Sequence, residues 1–187
     1  MVTHFYTTTT TATASLVTLA KAKKQLRIEA TFTAEDEVIE TCIDAAQVAC
    51  QDYINRSIAE RNLILELDSF QDKETFACNY ENDEITKIEY YKPGETTLTT
   101  LAADQYQLRK SSIIECFDIK FLSKPETDKR DDAVIVTIKQ GFALANCPKP
   151  IIQAINLRLS DFFERREDRE QGNNPASNNL LRPYRKF

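Results

Sequence analysis

Apolar residues recur along this chain with two different periods. Between Thr18 and Asn55 they come in steps of three and four: Leu19, Ala22, Leu26 and Ile28, then Val38, Ile39, Cys42, Ile43, Ala46, Ala49, Cys50, Tyr53 and Ile54. Such steps put side chains on one face of a helix. The pattern predicts a short helix over 19–28, capped by Thr18, and a long one that is capped by Thr33 and closes at Asn55 in the left-handed conformation. Glu35, Asp36 and Glu37 fall in the first turn of the long helix, where the helix dipole favours anions, so this acidic run needs no metal to explain it.

From Arg61 to Gln140 the period drops to two. NLILEL, ITKIEYY, QYQLR, FDIKFL and AVIVTIK read as strands, with KPGE as the turn after the second and ETDKRDD, residues 126–132, as a charged loop before the last. About five or six short strands between helices predict a small antiparallel sheet or barrel-like lobe. The helical period returns after CPKP, because proline at a helix start sacrifices no hydrogen bond. Ile151, Ile152, Ile155, Leu159, Phe162 and Phe163 form its inward stripe, and Gly172 is expected to end it. The predicted class is α+β: three main helices interrupted by an inserted β lobe. The boundaries are a flexible threonine-rich arm at 1–14, helical body at 15–60, β lobe at 61–145, helical body again at 146–171, and a C-terminal docking tail at 172–187.

Neither end follows either period. MVTHFYTTTTTATA offers too little apolar surface to offset the cost of ordering, so it reads as a mobile arm that becomes extended on a partner. NNPASNNLLRPYRKF is a polar tether that finishes on an apolar, basic tip. A tail that only had to stay solvated would have no use for Leu180, Leu181, Tyr184 and Phe187. The tip therefore either folds back on its own domain or docks on something else.

Composition removes most chemistry. The only glycines are Gly94, Gly141 and Gly172, which argues against glycine-rich phosphate cradles. His4 is the sole histidine and lies in the arm, leaving no serine–histidine relay and no multi-histidine metal site. The five cysteines form no CxxC pair and read as reduced thiols. Asp131 and Asp132 are adjacent, and adjacent side chains on a strand edge point apart. No catalytic residue, cofactor or metal is expected. No apolar run approaches the roughly 20 residues that span a bilayer, so no membrane partner is expected and the chain reads as soluble. Net charge is −5, with nine carboxylates against three lysines between Glu66 and Glu95. An acidic body argues against gripping nucleic acid, whose affinity for protein comes from cations, and does not argue against letting DNA pass.

Five pieces of the sequence, in order, carry a resemblance. The first is Thr18, Leu19, Ala22, Lys23, Leu26, Arg27 and Ile28 in a TLxxAKxxLRI helix; the second is an acidic start to a long helix that ends in Tyr53 and Arg56. IEYYKPG with QYQLR, then VIVTIKQGF with PKPIIQAINLRLSDFFERRE, and finally LLRPYR complete it. Over residues 16–187 the chain resembles the head–tail connector proteins of tailed bacteriophages. It departs from them in Asn55, where many members have glycine, and in a longer arm and a longer acidic stretch at 66–84.

The resemblance implies a non-enzymatic virion protein, made in the host cytoplasm. It would form a dodecameric homo-oligomeric ring under the portal protein, join the filled head to the next neck or tail protein, and surround the channel through which DNA leaves. It also implies that Leu180, Leu181, Arg182, Pro183, Tyr184, Arg185 and Phe187 dock on the portal or a neighbouring subunit, with proline pre-setting an extended form. Faces around Arg158, Arg165, Arg166 and Glu167 would contact adjacent copies, since a ring needs a head-to-tail surface. Mixed charge at helical spacing also allows Asp161–Arg165 and Arg166–Glu170 pairs. A stopper or tail-completion protein one storey lower, and a protein-binding module that forms no ring, stay open as alternatives.

Overall fold

A computed structural model describes residues 5–8, 15–77, 83–111, 116–165 and 174–186. The chain divides into two units, one of helices (Ala12–Ala59 with Phe142–Phe187) and one of strands (Met1–Thr11 with Glu60–Gly141).

In the helical unit, the Thr18 hydroxyl accepts from the backbone N–H of Lys21 at 3.4 Å and opens α1, Leu19–Leu26. Arg27 ends it in the left-handed region at φ 59°, so its N–H reaches back to the carbonyls of Lys23 and Lys24. Helix α2, Asp36–Ile54, begins later than expected. Thr33 does not cap it with its side chain. Instead the N–H of Asp36 donates to the Thr33 carbonyl at 3.2 Å, and Glu35 occupies the cap position without a side-chain bond.

Buried Lys23 explains this start. Its ammonium lies 2.5 Å from the Asp36 carboxylate and donates to the carbonyls of Phe32 and Ala30 at 2.8 and 3.4 Å. The loop is thereby wrapped around a satisfied cation, which a buried charge requires. Asn55 closes α2 at φ 55°, as its side chain tolerates. Helix α3 spans Lys149–Glu164 behind Pro148, and a fourth helix, α4, spans Pro175–Leu181 and runs into a 3-10 turn, Arg182–Tyr184. Gly172, expected to end α3, and the expected Arg166–Glu170 pair lie outside the described residues.

The core of this unit joins Ile39, Ile43, Ala46, Cys50 and Ile54 of α2 to Ile151, Ala154, Ile155 and Leu159 of α3. Ala22 of α1 and Leu181 of α4 close it from two further sides. Val38 was placed on the inward stripe but is 38% exposed. Gln47 is buried instead, because its side-chain carbonyl accepts from the N–H of Leu16 at 2.9 Å. A polar residue can thus sit on an apolar face when one bond satisfies it.

The strand unit contains β1 (Phe5–Thr8), β2 (Arg61–Leu67), β3 (Lys73–Ala77), β4 (Glu84–Tyr91), β5 (Leu98–Thr100), β6 (Tyr106–Ser111), β7 (Cys116–Phe121) and β8 (Val134–Gln140). A five-stranded sheet runs β1-β2-β8-β4-β5 and a three-stranded sheet runs β3-β7-β6, all antiparallel. The five strands expected from alternation are β2, β4, β6, β7 and β8. The described strands form two open sheets, with no pairing among them that closes a barrel. The arm, expected to become extended on a partner, is extended on its own chain over β1, where Phe5 pairs with Glu66 and Thr8 with Leu63.

Leu65, Leu67, Ile88, Val134, Val136 and Ile138 of the larger sheet share one core with Ile119 and Phe121 of the smaller. Phe70 wedges between the sheets, edge-on to Tyr90 at 5.4 Å and to Phe121 at 5.0 Å. Central β8 is buried along most of its length, as the middle strand of a covered sheet should be. KPGE is the expected turn: the N–H of Glu95 donates to the Lys92 carbonyl at 3.0 Å and Gly94 takes φ 75°. Where the chain leaves the helical unit at Ala59 and returns at Phe142, those two residues form a parallel bridge, with the N–H of Phe142 donating to the Ile58 carbonyl at 2.7 Å.

Candidate functional site

The C-terminal segment is seated on the helices of its own unit. Asn174 caps α4 by accepting from the N–H of Ser177 at 2.9 Å, and Pro175 fills the first helical position. The Asn174 amide also donates to the Asp161 carboxylate of α3. That bond occupies the acid expected to pair with Arg165. Ser177 is fully buried; its hydroxyl donates to the Ala154 carbonyl at 3.2 Å and accepts from Arg158 Nε at 3.1 Å. Arg158 Nη2 donates to the Asn178 side-chain carbonyl at 2.8 Å. One guanidinium therefore fastens two residues of α4, which its planar fork of donors allows.

Beyond α4 the chain reaches the end of α2. The Lys186 N–H donates to the carbonyl of Ile54 at 2.9 Å, and the Asn55 side-chain amide donates to the Lys186 carbonyl at 3.2 Å. The first bond satisfies a carbonyl of the last turn of α2, which has no further turn to bond. The Arg185 guanidinium lies 5.1 Å from the centre of the Tyr53 ring, and that of Arg158 lies 6.0 Å from it. The Tyr53 end of the long helix and the LLRPYR end of the chain, far apart in sequence, thus meet.

The structure divides the residues expected at the portal contact. Leu181 is fully buried, and Leu180 and Tyr184 pack against the same core. Arg182, Pro183 and Arg185 are exposed, while Phe187 lies outside the described residues. Of the residues expected between subunits, Arg158 is half-buried and bonded within its own chain, and Arg165 is exposed at the end of α3. Arg166 and Glu167 lie outside the described residues.

Leu180, Leu181 and Tyr184 take the first of the two outcomes open to the tip, folding back on their own unit. What sequence reading missed is the seat that receives them: Asn174, Ser177 and Asn178 with Tyr53, Asp161 and Arg158. The signal was present, since Asn followed by Pro is a cap-and-first-turn pair. Beneath the seat lies Cys50, whose thiol is pushed up to about 11 by burial, opposed in part by Arg158 and the Ser177 bond. Burial pushes Cys147 up to about 12. Neither is an activated nucleophile, which would need a lowered value. Among the described residues no group of three His, Cys, Asp or Glu could hold a metal, and no helix is long and apolar enough to cross a membrane.

Along the chain, helices come first, then two antiparallel sheets, then helices again, and the same fold recurs in solved particles. A chain in the neck of an empty gene transfer agent particle, computed with C6 symmetry, superposes with a TM-score of 0.70 at 20% identity over 98% of this chain and 96% of that one. A chain in the virion of the native gene transfer agent particle gives 0.68 at 18% over 97% and 95%. Another, in the native neck computed with C12 symmetry, gives 0.67 at 16% over 98% and 96%. At such identities the likeness is one of fold. No curated protein sequence matches significantly. The family model of the phage gp6-like head-tail connector proteins matches residues 16–115, more than half of the chain, and the chain belongs to that family. It is a structural protein of the joint between head and tail.

Proposed function

We propose that the chain assembles into a ring of twelve copies beneath the portal protein, joins it to the next neck or tail component, and surrounds the DNA channel without catalysing a reaction. The family match carries this reading. The likeness to neck chains from particles computed with C6 and C12 symmetry supports a ring, and the net charge of −5 suits a wall that DNA slides along. The C-terminal tip meets the portal through its outward residues, Arg182, Pro183 and Arg185. Their seat on α2 and α3 holds them ready, so little ordering cost is left to the contact.

Negative-stain imaging of the purified chain, with and without portal-bearing heads, tests the reading. A ring capping the portal is expected. A ring that binds only heads already fitted with another neck protein would identify a stopper, and absence of any ring would leave a binding module. Arg182→Glu is expected to leave the melting temperature unchanged while head joining falls at least tenfold. Joining at the wild-type level would remove the tip from the contact.

A further inference from the structure

Two helices of the helical unit expose faces of opposite charge. Helix α1 contains no acid, and Lys21, Lys24 and the capping Arg27 are exposed on it. Helix α2 contains no lysine or arginine along its 19 residues. It exposes Glu37, Glu40, Asp44 and Asp52, and in their midst Val48 is 52% exposed. None of these seven charged side chains is in an ion pair within the described residues, where the bridges engage other groups.

Within one chain this arrangement is a cost. Glu37 with Glu40, and Glu40 with Asp44, repel across one turn and weaken the helix that carries them. Alongside the acidic stripe is a cavity of about 270 Å³ lined by Val17, Leu19 and Ile43, by Ser15 and Thr18, and by Glu40 and Asp44. Such a lining fits a long cationic side chain, whose aliphatic stem packs on apolar surface while its head reaches carboxylates.

We propose that the acidic face of α2, with this cavity, receives the basic face of α1 from a second copy of the chain. The complementary surface is present on the molecule itself, which singles out a copy as the occupant. Because the two faces differ, each subunit offers one to each neighbour, and a contact of that type closes into a ring or runs on as a filament. The assignment rests on the ring reading above and names the surfaces that make it. Exposed charge pairs weaken as salt shortens the screening length from about 30 Å at 0.01 M to about 3 Å at 1 M, so assembly is strongest at low ionic strength.

Paired charge reversals test it in the full chain by sedimentation velocity and negative stain. Glu40→Lys with Asp44→Lys makes the receiving face basic; Lys21→Glu with Lys24→Glu makes the inserting face acidic. Each variant alone is expected to associate at least tenfold more weakly than the wild type. An equal mixture is expected to recover wild-type assembly, because the two variants can alternate around a ring.

Wild-type assembly by either variant alone, or no recovery on mixing two folded variants, would overturn the assignment. A wild type that stays single both in solution and on portal-bearing heads would instead overturn the ring reading, and this assignment with it. If a reversal lowers the melting temperature, Glu40→Gln with Asp44→Asn replaces it without changing shape. Weakened association is then expected, and unchanged association sinks the proposal.

Discussion

Leu181 gives its whole side chain to a core built mostly by other helices, from a helix of only seven residues. Truncating a fully buried leucine removes transfer energy and leaves a cavity, so Leu181→Ala should cost about 2–5 kcal/mol. Urea unfolding followed by circular dichroism measures it, and a cost below about 1 kcal/mol would mean that the site collapses freely. Nearby, Arg158 shows how a residue's role depends on what folds against it. A ring's need for a head-to-tail surface pointed to it as a subunit contact, and within its own chain its guanidinium is bonded to Ser177 and Asn178. Lys23 makes the same point, because nothing in the TLxxAK pattern discloses that its ammonium is buried among the Phe32 and Ala30 carbonyls and Asp36.

Helix α4 is too short to persist alone, since isolated helices below about 12–15 residues are marginal in water. It exists because α3 supplies Arg158 and Asp161 and the core takes Leu181. It also covers Cys50, whose thiol stays protonated well above neutral pH. Ending the chain at residue 173 should uncover that thiol. Alkylation of Cys50 at pH 8, followed by peptide mass spectrometry, should then speed up at least about tenfold: the thiolate fraction rises roughly 200-fold as the value falls toward about 8.5, and the lower basicity of that thiolate takes back part of the gain. An unchanged rate would show that the seat closes without α4.

Elements of strong period were legible from sequence: α1, α2, α3 and the five alternating strands all form. What escaped was short or marginal. Strands β3 and β5 are five and three residues at sheet edges, too brief to show alternation. The composition of β1 reads as disorder until β2 offers it a partner, and α4 hid in an asparagine-rich stretch that reads as a linker. The start of α2 was misplaced because a threonine before an acidic run resembles a cap, whereas the Lys23–Asp36 pair fixes the real one.

At the scale of the molecule, each unit has its own core, one of α2 and α3 residues and one shared between the two sheets. The site follows the same division, since the contacts described above for the C-terminal seat lie in the helical unit. Replacing residues 60–141 with a flexible linker of about twelve residues, and dropping 1–11, should therefore leave a folded helical unit. Ala59 and Phe142 run parallel, so the linker must carry the chain back along the bridge, which takes about a dozen residues. Helical circular dichroism with a cooperative melt is the expected result, and a non-cooperative melt would show that the helices need the strands.

The bridge between Ala59 and Phe142 has an evolutionary reading as well. A sequence that departs and comes home through adjoining doors can be exchanged wholesale without disturbing the house it leaves.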